Sequence, residues 1–340
     1  MNSLSKLGKM VYCLLIFLLP TLLFSRDIAP FPTKNLNPLT RVTGLPWNQT
    51  STIQSSGTFS LQFTYEKGNS CSWDTTGTRE KIYIDGESVW STLRIRYGTG
   101  GGIEVGLVAP YVIHHAGFTD HFITWWHHIT GFPQGRRKSV HENMFRYAFI
   151  AENTGKINLE HRVSGIGSVQ IFIGKQFFKD EINRLDLFLT CGLPTRRSPE
   201  LIGSDTPSLS VQVSGARKML SARDVPTIFG NLGCSIPGSV KYLKGIQRQY
   251  VIVGTIGADW QISRYMILKA QFDFNSPLYV STLDQAGIWA GQSVLGAQFI
   301  FGHGFTCSLG ITEDSIVSSS ADAGFLFSMN KTMSIVQEGQ

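Results

Sequence analysis

Leu268-Lys269-Ala270-Gln271-Phe272-Asp273-Phe274 is the stretch that decides how this chain folds. Every second residue is apolar, which is the period of a strand with one greasy face. Leu268, Ala270, Phe272 and Phe274 point one way; Lys269, Gln271 and Asp273 point the other. Phe305, Cys307, Leu309 and Ile311 repeat the pattern against Thr306, Ser308, Gly310 and Thr312. A soluble sandwich buries such apolar alternates in a core. A membrane barrel turns them to lipid and keeps the polar alternates around an enclosed lumen.

Composition favours the barrel. Charged residues make up 16% of the 340, against about 25% in soluble proteins. No stretch after residue 26 approaches the roughly 20 consecutive apolar residues of a helical span. The densest basic clusters, Arg136-Arg137-Lys138 and Arg196-Arg197, fall in expected loops and build no nucleic-acid face. A secreted or periplasmic β-sandwich is the non-membrane alternative.

Residues 1–25 have the parts of a cleavable export signal: Lys6 and Lys9, then an apolar run from Met10 to Phe24, then Ser25. Removing the two lysines takes the net charge from +6 to +4. Residues 26–54 are rich in Pro and Asn and read as an extended periplasmic lead-in. The barrel is expected over 55–332 and a C-terminal tail over 333–340. Cys71, Cys191, Cys234 and Cys307 are widely spaced and form no zinc pattern.

Hairpins recur along the barrel region. Val89, Ser91, Leu93, Ile95 and Tyr97 alternate with Trp90, Thr92, Arg94 and Arg96, and the chain reverses through the glycines at 98–102. Two arginines facing lipid would cost about 2–4 kcal/mol each at mid-depth, so Arg94 and Arg96 are expected inside, near Glu104. Asp85-Gly86 reads as a tight turn. Residues 112–141 break the alternation. There Phe118, Phe122, Trp125, Trp126 and Ile129 have helical spacing, and Gly131-Phe132-Pro133 ends the helix. This long loop is placed on the outer side or folded into the barrel mouth. The reading gives an all-β antiparallel transmembrane barrel of about 14 strands, with 12 as the second count. Trp90, Tyr97, Tyr111, Tyr147, Trp260, Tyr265 and Tyr279 fall near strand ends, where interface girdles sit.

Arg94-Ile-Arg-Tyr-Gly, Glu104-Val-Gly-Leu, Gly117-Phe-Thr-Asp and Trp126-His-His-Ile-Thr-Gly-Phe-Pro-Gln-Gly-Arg136 together resemble a Gram-negative family, domain of unknown function 3187. Lys269-Ala-Gln-Phe-Asp273, Ser276-Pro-Leu-Tyr279 and Glu313-Asp314 agree with it. The resemblance covers nearly all the mature chain. It implies an outer-membrane-like location and supplies no activity.

No GxSxG elbow, HExxH pair or phosphate-binding glycine loop is present in context. No catalytic, cofactor-binding or metal-binding residue is therefore assigned, and no enzyme is expected. Six histidines lie between residues 114 and 141, where capping and solvation explain them better than a metal. The candidate lumen residues are Arg94, Arg96, Glu104, Arg146, Asp186, Lys269 and Asp273. The candidate loop contact is Trp125, Trp126, His127 and His128. The expected function is a channel or porin-like protein for small solutes in the bacterial outer membrane. A structural or surface-interaction barrel with a plugged lumen is the alternative. The expected partners are the lipid bilayer and the barrel-insertion machinery, with no nucleic acid.

Overall fold

The computed structural model describes residues 29–75, 79–131, 137–151, 156–219, 226–316 and 318–334. The expected export signal and residues 335–340 of the expected tail lie outside them. Period-two segments become strands throughout. Met266–Asn275 alternates as read, with Lys269, Gln271, Asp273 and Asn275 buried and Leu268 and Ala270 exposed.

Twelve strands close into an antiparallel barrel: β1 (Thr58–Asp74), β2 (Glu80–Gly100), β3 (Ile103–His115), β7 (Val169–Lys179), β8 (Asn183–Leu193), β9 (Ser208–Lys218), β10 (Thr227–Ile236), β11 (Val251–Ser263), β12 (Met266–Asn275), β13 (Ala290–Gly302), β14 (Phe305–Asp314) and β15 (Ala323–Ser334). β1 pairs with β15 from Thr58↔Ser334 to Asn69↔Ala323, so no edge stays open. Closure matters because lipid supplies no hydrogen bonds to a free strand edge. The wall thus has the lower of the two expected strand counts. Two further strands lie outside the wall. β4 (Arg146–Ala151) pairs with the upper part of β2, and β5 (Lys156–Leu159) pairs with β4. The short β6 (Val163–Ile166) pairs with the top of β3.

Asp85-Gly86 is not a turn. β2 runs straight through it, with Gly86 at φ +143°. A Cβ there would lie 2.7 Å from the Phe145 ring and 3.0 Å from the His115 carbonyl oxygen. Glycine lets β2 pass its pairing from β3 to β4 at this crowded point. The reversals after β2, β11 and β13 are tight and share one end of the barrel with Thr58 and Ser334. The connections 194–207, 237–250 and 276–289 gather at the other end, where β3 also hands the chain on to the described residues of 116–168.

The expected loop helix is present as α2 (Asp120–Thr130), ended by Gly131 at φ +78°. Two four-residue helices, α1 (Pro38–Arg41) and α3 (Asp284–Gly287), flank it in sequence. The largest apolar cluster closes the long-loop end. It joins Leu39, Val42 and Leu45 to Ile82, Ile84, Tyr147, Phe149, Val240, Leu243 and Tyr279. Tyr147 and Tyr279 are therefore buried rather than part of a girdle, and Trp90 is buried with Val112 and Ile202, whereas Tyr97, Tyr111, Trp260 and Tyr265 are exposed on the outside. The four described cysteines are free thiols, and Cys191, Cys234 and Cys307 are partly or fully exposed.

Candidate functional site

Residues 29–54 are not a periplasmic lead-in: they fill the barrel. Every residue from Pro30 to Gln54 is buried. The segment enters at the tight-turn end, where Lys269 Nζ donates to the Ala29 carbonyl at 2.6 Å. Phe31 N donates to Gln271 Oε1 at 2.7 Å, and Leu36 N donates to Gln292 Oε1 at 3.2 Å. Near the far end the chain makes α1, with Asn37 Oδ1 accepting from Leu39 N at 2.9 Å. That cap satisfies an amide the short helix cannot. Tyr279 Oη donates to the Leu39 carbonyl at 2.7 Å, and Ser208 Oγ donates to the Gly44 carbonyl at 2.9 Å.

The segment then returns to the tight-turn end, and here the predicted lumen residues meet it. Asn48 Nδ2 donates to Asp273 Oδ1 at 2.8 Å. Arg94 donates to the Asn48 carbonyl at 3.3 Å and to Gln49 Oε1. Arg96 pairs with Glu104 at 2.7 Å and donates to Thr50 Oγ1 at 2.9 Å. Glu104 Oε2 also accepts from Gln54 N at 2.8 Å. The Arg96–Glu104 pair is thus buried with its remaining hydrogen-bonding capacity used on the returning chain, the condition under which a buried pair is tolerated. The Gly57 amide bonds to the Gly98 carbonyl at 2.9 Å, and β1 starts.

Six of the seven predicted lumen residues are buried on inward faces: Arg94, Arg96, Glu104, Asp186, Lys269 and Asp273. Asp186 lies across from Gln176 in the β7–β8 ladder, within electrostatic reach of Glu104 and Arg96. Arg146 is the exception. It sits on β4 outside the wall, exposed, 3.6 Å from Glu160. Its neighbours Phe145, Tyr147, Ala148 and Phe149 are all apolar, and β4 pairs with the upper part of β2 outside the twelve-stranded wall.

The predicted loop contact divides. Trp125 and His128 are exposed. Trp126 Nε1 donates to Glu313 Oε1 at 2.9 Å, and His127 is buried 3.5 Å from the same carboxylate. His114 is buried between Ser88 and the Leu201 carbonyl, a packed position under the apolar cap. Sequence reasoning missed Arg41, whose guanidinium forms a fully buried pair with Glu66 and lies 4.4 Å from the Trp90 ring centre. The signal was in the lead-in itself: Phe31, Leu36, Leu39 and Trp47 are anchors that a free tail has no use for.

Two cavities beside the plug measure about 10 and 20 Å³, room for a water molecule and no larger solute. A closed antiparallel wall with an apolar outside, a polar inside and its own plug defines a transmembrane-type β-barrel. The chain belongs to the family of proteins of unknown function DUF3187, whose model matches residues 9–333. Among solved structures it is similar to an outer membrane channel from Pseudomonas putida F1, with 9% identity, 83% of this chain and 97% of that one covered, and a TM-score of 0.53. It is also similar to the NanC porin, with 8% identity, 82% and 100% covered and a TM-score of 0.43. No curated protein sequence matches the chain significantly.

Proposed function

We propose that the protein is a gated outer-membrane channel for small polar solutes, closed by its own residues 29–54. The carrying observation is that the wall is complete without the plug. Residues 29–54 add no strand to the sheet, and the plug's bonds to the wall run chiefly to side chains such as Arg94, Gln271 and Gln292. Withdrawal would break no strand ladder, and the exposed Arg, Lys, Asp and Gln side chains would be hydrated rather than stranded in an apolar tube. The fold likeness to the Pseudomonas putida channel supports the reading. In this reading the tight turns face the periplasm, and the apolar outer face of the wall sits in the outer membrane.

A disulfide lock tests the gate. Ser51 Oγ on the plug and Ser214 Oγ on β9 are 3.2 Å apart. Ser51→Cys with Ser214→Cys should cross-link them under oxidation. The expected outcome in planar bilayers is that reduced protein opens intermittently, oxidised protein stays silent, and reduction restores opening. Equal conductance in both states rules out plug movement as the gate. Silence of the wild-type protein and the reduced variant alike favours a permanently plugged structural barrel. The apolar cluster across the long-loop end is the feature that supports that second reading.

A further inference from the structure

The chain between β3 and β4 does something the loop pattern did not foretell. It crosses the outside of the wall. Leu61, Phe63 and Tyr65 point outward from β1, and Lys67 is next in that series; Glu87 continues the outward series of β2. Lys67 Nζ and Glu87 Oε2 pair at 2.6 Å on this outer face, both buried. Their cover is the start of the excursion. Phe118 N and Thr119 N donate to Glu87 Oε1 at 3.0 and 2.7 Å, and the Phe118 ring lies 3.5 Å from Lys67 Nζ.

α2 then runs across the neighbouring strands. Phe122 packs on Phe325, an outward residue of β15, with ring centres 5.7 Å apart. Trp126 and His127 reach Glu313, which continues the outward series of Leu309 and Ile311 on β14. The barrel-facing side of the helix is Ile123 and His127, both buried. The opposite side is an apolar stripe. Phe122, Trp125 and Ile129 are spaced i, i+3 and i+7, and Phe118 extends the row; they are 42, 51, 54 and 75% exposed. Such spacing puts Phe122, Trp125 and Ile129 on one helix face, and Phe118 precedes the helix beside them.

We propose that α2 is a lipid-interface helix whose outward stripe is immersed in the outer leaflet beside the barrel. This rests on the outer-membrane reading above. The occupant follows from continuity. The stripe meets the apolar outer surface of the wall through Phe122 and Phe325, and it carries no charge. His121 and His128 are exposed on its polar flank. A helix with a mostly polar side, Asp120, Ile123 and His127, against protein and an apolar side facing out, lying along a bilayer-facing wall, matches an amphipathic helix held in the headgroup and acyl-chain boundary. Its first turn also shields the Lys67–Glu87 pair from that lipid.

The test is tryptophan quenching in vesicles of the full chain, made from phosphatidylcholine with or without bromine high on the acyl chains. Trp260, exposed on the outer face of β11, reports on the wall; Trp125 reports on the helix. Trp260→Phe should remove part of the quenchable emission, Trp125→Phe should remove a comparable part, and Ile129→Trp should add to it. If Trp260→Phe lowers quenching while Trp125→Phe and Ile129→Trp leave it unchanged, the helix is off the membrane and the proposal falls, with the barrel reading intact. If none of the three changes it, the wall itself is not in lipid and both readings fall. Heat-modifiable migration confirms that each variant is folded.

Discussion

Arg96 and Arg146 carry the same charge and both lie on strands, yet their surroundings give them opposite weight. Arg96 is buried against Glu104 and the returning plug; Arg146 meets Glu160 in solvent. Removing one member of a buried pair strands the other, at a cost of about 3–5 kcal/mol. An exposed pair contributes about 0–1 kcal/mol. Glu104→Ala should therefore lower clearly the temperature at which the barrel loses its fast-migrating folded form on gels, while Arg146→Ala should barely move it. A large effect of Arg146→Ala would mean that β4 lies in the wall after all. At this scale the sequence was informative about facing and silent about membership. Alternation told inside from outside on each strand, but it could not tell a wall strand from a neighbour of the wall.

At the scale of elements, the excursion between β3 and β4 is fastened by Arg137. Its guanidinium donates to Asp120 Oδ1 at 2.9 Å, to Asp322 Oδ2 at 3.0 Å and to Asn69. Burial raises the Asp322 carboxyl above its usual range, and the Arg137 charge pulls it back down. A carboxyl raised in the folded state favours folding below its unfolded value, and that contribution disappears as pH rises through the raised value. Without Arg137 the raise grows. Arg137→Ala should thus destabilise most at neutral pH and least in acid, where Asp322 is protonated and needs no partner. Thermal unfolding of wild type and variant across pH checks this; a penalty that grows toward acid contradicts the assignment. The helix itself was legible from Phe118, Phe122, Trp125 and Ile129, because i, i+3, i+4 spacing is local. Its seat on the outer wall was not, since Glu87 and Glu313 come together there only through the closure of the barrel.

For the whole molecule, deleting residues 29–54 should leave a wall that still closes, because β1 pairs with β15 and β2 without them. The variant should keep heat-modifiable migration and conduct steadily, where the intact chain opens only intermittently. A deletion variant that cannot form a barrel would show the plug to be a folding core rather than a gate. The balance is physical: the segment packs Phe31 on Val294 and Leu326 and Trp47 near Val108, Phe172 and Phe188, while its hydrogen bonds run to polar wall side chains.

The sequence by itself determined the barrel, the sidedness of its strands, the helix in the long loop and six of the seven inward charges. All of these follow from period-two or helical spacing, which each segment carries alone. Only the tertiary structure decided that residues 29–54 run inside rather than beneath the barrel, that the wall closes with twelve strands, and that α2 lies on its outer face. Phe31 bonds to Gln271 across 240 residues, and a segment without periodicity holds no local record of such a partner. Its place is fixed only when a closed wall offers side chains that need something to bond to.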